Sequence, residues 1–219
     1  MYNSTYKSKL LSKCLGIPAH LKAKIKSFGH ADDGMAAVEF AILSPIMIAL
    51  YFGLVEIATI INADKLTSHA TNVAGDLATQ VTNMDKDDIE DVFEAALATM
   101  SLKPAQSASV SMEVLSYQMT SSGVRQELGR ATLNGGYNGT AYDPADIGTR
   151  LLTSNSGAIV ARVQYKYESV SFKFVEKFTT LEETFILKPR SSQNIPFSLD
   201  GSHASYTCNS SGSYTVTCS

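Results

Sequence analysis

Hydrophobic residues form one long uninterrupted stretch near the start of the chain, at residues 35–61. Within it only Glu39 and Glu56 carry a charge. As an α-helix the stretch would be about 40 Å long at about 1.5 Å per residue, which exceeds a hydrocarbon core of about 30 Å. The pattern therefore predicts a membrane-spanning helix, in which Pro45 is tolerated.

A cleaved secretory signal is the main alternative for this stretch. The apolar region of such a signal is about 7–15 residues long and ends in a small-residue cleavage site. Here the apolar run is longer, and the leader before it, residues 1–34, is long as well. We therefore interpret the stretch as a retained single span.

The helical pattern continues beyond the span. Apolar side chains recur at steps of three and four residues and predict one buried face, formed by Leu66, Ala70, Val73, Leu77 and Val81. His69 lies beside this stripe and is interpreted as a packed or exposed side chain rather than a ligand. We expect a long helix whose second half packs on a globular head.

A second helix is predicted from the sequence DKDDIEDVFEAALATM, residues 85–100. Asp85 is expected to cap its start, and the acidic residues of the first turn favour the positive end of the helix dipole. The acids lack the spacing and the glycine of a calcium-binding EF-hand loop. The predicted buried face consists of Ile89, Val92, Phe93, Ala96, Leu97 and Met100.

Strand patterns follow the two helices. Residues 107–119 alternate and then change phase near Leu115, which suggests a bulge or bend. Residues 133–146 read as an exposed loop rich in Gly, Asn and Asp. Residues 158–168 alternate most clearly, and residues 178–189 supply a partner strand. Helices followed by strands predict an α+β protein with a C-terminal antiparallel sheet.

Charge is distributed unevenly along the chain. Residues 1–34 hold six lysines and two aspartates, a balance of +4, whereas the whole chain carries −3 and the remainder therefore −7. A basic segment before a span and an acidic part after it predict a cytoplasmic N-terminus and an extracytoplasmic head. A basic tail that binds nucleic acid is less favoured, because no aromatic residues interleave with the lysines.

The cysteines agree with this orientation. Cys14 lies in the leader, whereas Cys208 and Cys218 flank a Ser/Gly-rich stretch that a disulfide would close. A disulfide there would imply an oxidising compartment. Two unpaired surface thiols are the alternative, and a zinc site is disfavoured because His203 is the only nearby histidine.

Residues for catalysis or for binding a cofactor are not grouped in any recognisable motif. The four histidines are scattered, and the chain has neither a G-x-S-x-G elbow nor a P-loop. We expect no enzymatic activity, no metal and no cofactor.

The sequence GMAAVEF, residues 34–40, resembles a class III prepilin-type signal. The longer stretch 34–57 resembles the opening of the TadE-like family, minor pseudopilins of tight-adherence (Flp, type IVb) pili. The likeness consists of the A-A-V-E-F start, a proline at Pro45 and a second V-E at Glu56. It is specific over this stretch and general over the rest of the chain.

The resemblance implies cleavage between Gly34 and Met35 by a membrane-embedded aspartyl prepilin peptidase. Glu39 would then be the fifth residue of the processed chain and could pair with the new α-ammonium group of a neighbouring subunit. The alternative is that Glu39 lies among lipid headgroups. Phe40 stands where the major Flp pilins have tyrosine. Glu56 is expected either at the outer interface of the membrane or paired with another subunit.

These expectations divide the chain into a leader (1–34), a transmembrane helix (35–61) and an extracytoplasmic α+β head (62–219). The predicted location is a bacterial inner membrane, with the N-terminus in the cytoplasm. The predicted partners are the prepilin peptidase, other pilins and pseudopilins, and membrane lipid, but not nucleic acid. The alternative is an uncleaved, single-pass module that binds an envelope partner.

Overall fold

The computed structural model describes residues 34–139, 141–168, 179–198, 204–211 and 214–219. The chain divides into two compact units, Met1–Leu54 and Val55–Ser219. The second unit begins before the predicted head (62–219), and from here on the head means the whole of this unit, Val55–Ser219. Of the predicted leader, only Gly34 lies within the described residues.

Helix α1 spans Met35–Ala78 and continues without a break past residue 61, where the membrane span was predicted to end. Pro45 lies inside it. In the part that belongs to the first unit no residue is buried, and bulky apolar side chains are exposed along it. Among the described residues, α1 is the one helix long and apolar enough to cross a membrane.

Helix α2 spans Lys86–Thr99 and confirms the predicted second helix. The Asp85 side chain accepts a hydrogen bond from the backbone N–H of Asp88, and the Asp88 side chain accepts one from the N–H of Asp85. This reciprocal capping box satisfies two N–H groups that the helix itself leaves unpaired. The predicted apolar face is buried in full: Ile89, Val92, Phe93, Ala96, Leu97 and Met100.

A six-stranded sheet follows in the described head, in the order β4-β3-β1-β2-β5-β6, with short 3-10 helices at Pro104–Ser109 and Pro144–Asp146. The α+β class, with a long apolar helix and a second helix before the sheet, is confirmed. The strands are β1 (Val110–Met119), β2 (Arg125–Leu133), β3 (Gly157–Tyr167), β4 (Thr179–Leu187), β5 (Ala204–Ser211) and β6 (Thr215–Cys218).

The sheet is mixed rather than wholly antiparallel, because β5 pairs with β2 in parallel. After β4 the chain crosses the sheet at one end. Gln193 accepts from the N–H of Gly157 in β3, Ile195 accepts from Ser116 in β1, and Phe197 donates to Leu128 in β2. Ala204, the first residue of β5, pairs with Gly129, the fifth residue of β2, and from there the two strands run in the same direction.

Both faces of the sheet are buried, which explains the change of phase in the alternation along β1. Val110, Met112 and Val114 belong to the core shared with the helices. Leu115 and Tyr117 point to the opposite face and pack in a second, smaller core. The pairing of β1 with β2 does shift register between Ser116 and Tyr117, but β1 pairs with β3 without interruption.

The sheet-facing side of α1 differs from the predicted apolar stripe. Of that stripe only Ala70 is buried, whereas Leu66, Val73, Leu77 and Val81 are half-buried at its flank. Small side chains let the helix approach the sheet closely, as at Gly75, where a Cβ would lie 2.4 Å from Leu187 Cδ1. The buried positions of α1 are Ala63, Thr67, Ala70, Thr71, Ala74, Gly75 and Ala78.

Candidate functional site: the start of the long helix and its junction with the head

The residues of the predicted processing signal lie at the first turns of α1. Gly34 directly precedes the helix, and a Cβ at this position would meet nothing within 4 Å. Met35 and Phe40 are 63% and 68% exposed, and Glu39 is exposed between them. Within the described residues, therefore, the fold does not require glycine at position 34 and gives Glu39 no hydrogen bond or ion pair.

Met35 and Glu39 are four residues apart on one helix. At about 1.5 Å per residue they are separated by about 6 Å along the axis and lie on the same face. The surrounding exposed side chains are apolar, including Val38 and Ile42. A carboxylate in such surroundings is costly in a membrane unless a cation or a donor reaches it.

Glu56, the second acidic residue of the apolar stretch, lies in the head and contacts β3. Tyr167 Oη lies 3.3 Å from Glu56 Oε1 and 2.8 Å from Thr59 Oγ1. Thr59 Oγ1 also lies 2.8 Å from the backbone oxygen of Glu56. The other carboxylate oxygen, Oε2, is buried and has no hydrogen-bond partner among the described residues.

These three contacts share two hydroxyl protons, because Tyr167 and Thr59 each have only one. When Tyr167 donates to Glu56, Thr59 can donate to the Tyr167 oxygen or to the backbone oxygen of Glu56. The hydroxyls therefore link the first head turns of α1 to the end of β3. Glu56 and Tyr167 are 111 positions apart in the sequence. The sequence pattern predicted which face of its strand Tyr167 lies on, but it did not predict that Glu56 is its neighbour.

Cys208 and Cys218 form a disulfide with an S–S distance of 1.98 Å. The bond joins directly paired residues of β5 and β6, so on both sides the described residues next to the cysteines are paired strands rather than the loop that their Ser and Gly content suggested. Both cysteines are buried, at 0% and 6% exposure. The bond closes a short loop at the edge of the sheet.

A polar network that the sequence did not predict lies on the sheet face opposite the helices. The side chain of Glu113, 6% exposed, accepts from Arg130 Nη1 at 2.5 Å and from Arg162 Nη1 at 3.2 Å. The Arg162 guanidinium stacks 3.5 Å from the ring centroid of Tyr137. The loop predicted as exposed thus places one aromatic ring over a nearly buried cation, which lowers the cost of burying the charge.

Tyrosine and carboxylate groups around this network have shifted pKa values. Burial, reinforced by the charge of Glu127, raises the pKa of Tyr117, and the Tyr117 hydroxyl donates to Glu127 Oε2 at 3.2 Å. Hydrogen bonds from Tyr137 and then Gln164 lower the pKa of Glu182. These shifts favour a neutral Tyr117 and an ionised Glu182, the ordinary states of both residues near neutral pH.

In the part of the chain that the structure describes, no group of three or more His, Cys, Asp or Glu side chains has a geometry that could hold a metal ion.

A known protein family matches part of the N-terminal half of the chain. Residues 34–76 match the family model described as TadE-like protein. The protein carries a TadE-like domain. This match begins at Gly34, includes Glu39 and Glu56, and extends into the part of α1 that packs on the sheet.

A TadE-like domain indicates an association with the tight-adherence (Tad) pilus machinery, and its apolar helix is consistent with a membrane-anchored component. The match ends before α2 and the sheet. No curated protein and no solved structure gives a significant match.

Proposed function

We propose that this protein is a minor pseudopilin of a tight-adherence (Flp, type IVb) pilus system. In this proposal it is cleaved between Gly34 and Met35 by a prepilin peptidase and takes part in pilus assembly and surface adhesion. It sits in the bacterial inner membrane with its N-terminus in the cytoplasm and its head outside. The proposal assigns the protein no enzymatic activity.

The position and surroundings of Glu39 carry the proposal. Glu39 is exposed on an apolar helix and has no partner among the described residues, so a cation that pairs with it would come from outside this part of the chain. Cleavage after Gly34 would make one, because the new α-amino group of Met35 is a cation at neutral pH. On a neighbouring subunit that group would pair with Glu39 and fix the register of the two helices.

The accessibility of Gly34 supports the processing step. Beyond its chain neighbours, no described residue lies within 4 Å of a Cβ built at this position. The glycine is therefore explained by a peptidase that needs close access to the backbone, rather than by packing within the chain.

A second candidate function is an uncleaved membrane-anchored module that binds an envelope partner. It is favoured by the size of the region that the TadE-like match leaves out, which contains α2 and all six strands. A head of this kind can present a binding surface whether or not the leader is removed.

Processing separates the two functions. The full-length protein would be expressed in cells with and without an active prepilin peptidase and extracted from the membrane, and its intact mass and N-terminal sequence would be determined. Cleavage predicts a chain that begins at Met35 only when the peptidase is active. Persistence of the full-length chain with an active peptidase would contradict the processed pseudopilin and favour the anchored module.

A further inference from the structure

Strand β6 is one edge of the sheet, and the hydrogen bonds to β5 fix which of its backbone groups face outward. Thr207 and Ser219 exchange two backbone hydrogen bonds. In an antiparallel pair such bonded positions alternate with non-bonded ones, so Cys208 and Cys218 form a non-bonded pair. The N–H groups of Val216 and Cys218 therefore point away from the sheet.

Two carboxylates of α2 occupy these outward N–H groups. Glu90 Oε1 accepts from the N–H of Cys218 and Glu94 Oε1 accepts from the N–H of Val216, each at 2.8 Å. The spacing fits, because four helical residues rise about 6 Å and two strand residues advance about 6.6 Å. Helix α2 thus supplies the acceptors that a further strand would otherwise provide.

The two edges of the sheet differ in how they resist pairing with another chain. Edge strands commonly avoid such pairing through their own charged residues or prolines. β4 carries Glu182 and Glu183, whereas the sequence of β6, TVTC, has neither a charge nor a proline. The two exposed side chains of β6, Thr215 and Thr217, suit a strand and do not oppose pairing.

We propose that Glu90 and Glu94 are an edge guard that prevents β6 from pairing with β6 of a second copy of this chain. An antiparallel pair of two β6 strands would be self-complementary about a two-fold axis. Val216 of one copy would bond to Cys218 of the other, and the two Thr217 residues would face each other. With Glu90 and Glu94 bound to the edge of β6, two copies of the chain can contact each other only through other surfaces.

Cross-linking at Thr217 tests the guard. Thr217→Cys would be introduced into the full-length chain with Cys14→Ser, alone or with Glu90→Ala and Glu94→Ala, and each protein oxidised in detergent. Residues that face each other in a non-bonded antiparallel pair are close enough for a disulfide. We expect at least tenfold more 217–217 disulfide-linked dimer when both glutamates are replaced. Peptide mapping should show that the native Cys208–Cys218 disulfide is still present.

Matched variants separate loss of the acceptors from loss of charge. Asp87→Ala with Asp91→Ala removes two exposed acids of the same helix at the same spacing and should give no more 217–217 dimer than Thr217→Cys alone. Glu90→Gln with Glu94→Gln keeps an oxygen acceptor at each position and should also leave the amount of this dimer unchanged. Equal dimer in all backgrounds, or no dimer from the folded double-alanine protein, would overturn the proposal.

Hydrogen exchange supplies a measurement on the unaltered protein. The amides of Val216 and Cys218 should exchange slowly in the native full-length chain, although they lie at a sheet edge. The double-alanine variant should exchange both at least tenfold faster, and the double-glutamine variant should not. Fast exchange of both amides in the native protein would contradict the proposal, whether or not any variant folds.

Discussion

Gly75 lies directly against Leu187, the last residue of β4: a Cβ at position 75 would come within 2.4 Å of Leu187 Cδ1 and 3.4 Å of the Ala161 Cβ. Glycine in a helix costs about 1 kcal/mol relative to alanine. Its presence here is explained by the close approach of α1 to β3 and β4.

Larger residues at position 75 should destabilise the head in proportion to their size. Gly75→Ala gains helix propensity and needs only a rotation of the flexible Leu187 side chain, so we expect a change within about 1 kcal/mol. Gly75→Leu cannot be accommodated in this way and should lower the free energy of unfolding by about 1–3 kcal/mol. Urea denaturation in detergent, followed by near-UV circular dichroism, measures both. Equal stability of the two variants would contradict the close packing.

The Tyr167 hydroxyl is predicted to stabilise the junction between α1 and β3. Tyr167→Phe removes its hydrogen bond to Glu56 or Thr59 and should lower the free energy of unfolding by about 1 kcal/mol. Tyr165→Phe is a matched control, because Tyr165 is also buried in β3 on the same face. If both variants lose the same stability, the hydroxyl contacts of Tyr167 contribute nothing specific.

The sequence predicted the features that depend on local pattern. The Asp85 cap and the buried face of α2 are visible as residue types at fixed spacing, and so are the two faces of β3. It did not predict β2, β5 and β6, whose short polar sequences become strands only through their neighbours. Nor could it predict which side of α1 is buried. The larger residues, such as Leu66 and Val73, are excluded by the close approach of the sheet, which favours Ala70, Ala74 and Gly75.

The same distinction applies to the candidate site. Gly34, Met35 and Glu39 could be selected because the signal is a short linear motif. The contacts of Glu56 with Tyr167, and of Glu90 with Cys218, join residues more than 100 positions apart. Such pairs are fixed by sheet order and by the crossing of residues 193–198, which periodicity does not reveal.

Acid should weaken the contact between β4 and the loop after β2. Hydrogen bonds from Tyr137 and Gln164 lower the pKa of Glu182 in the folded protein. A lowered folded pKa contributes stability that is present above the unfolded pKa and is lost as the pH falls through the folded value. Because Glu182 is exposed, the loss should stay below about 1 kcal/mol.

This acid dependence is measured by denaturation between about pH 6 and pH 3, which spans the ordinary titration of a glutamate. Glu182→Gln should lose less stability than the native protein over this range. Tyr137→Phe removes the larger cause of the lowered pKa and should change the profile in the same direction. Parallel pH profiles for the native protein and Glu182→Gln would contradict the assignment.

The Cys208–Cys218 disulfide should account for a substantial part of the stability of the β5–β6 edge. It closes a loop with a sequence separation of 10 residues, for which the chain-entropy model gives about 3 kcal/mol. Reduction of the native protein and replacement of both cysteines by alanine should lower the free energy of unfolding by similar amounts. If reduced and oxidised proteins unfold at the same urea concentration, the bond does not stabilise the native state.

Substitutions at the start of α1 should separate processing from assembly. Gly34→Leu should block cleavage, and a steric clash at its Cβ would not explain the loss, since a Cβ at position 34 meets none of the described residues beyond its chain neighbours within 4 Å. Glu39→Ala should be cleaved normally but should reduce piliation, because it removes the carboxylate that we propose pairs with the α-ammonium of Met35 on a neighbouring subunit. Phe40→Tyr keeps the charge pattern and serves as the control that retains both. Intact mass reports cleavage and electron microscopy reports pili. Normal piliation by Glu39→Ala would show that the carboxylate is not needed for assembly.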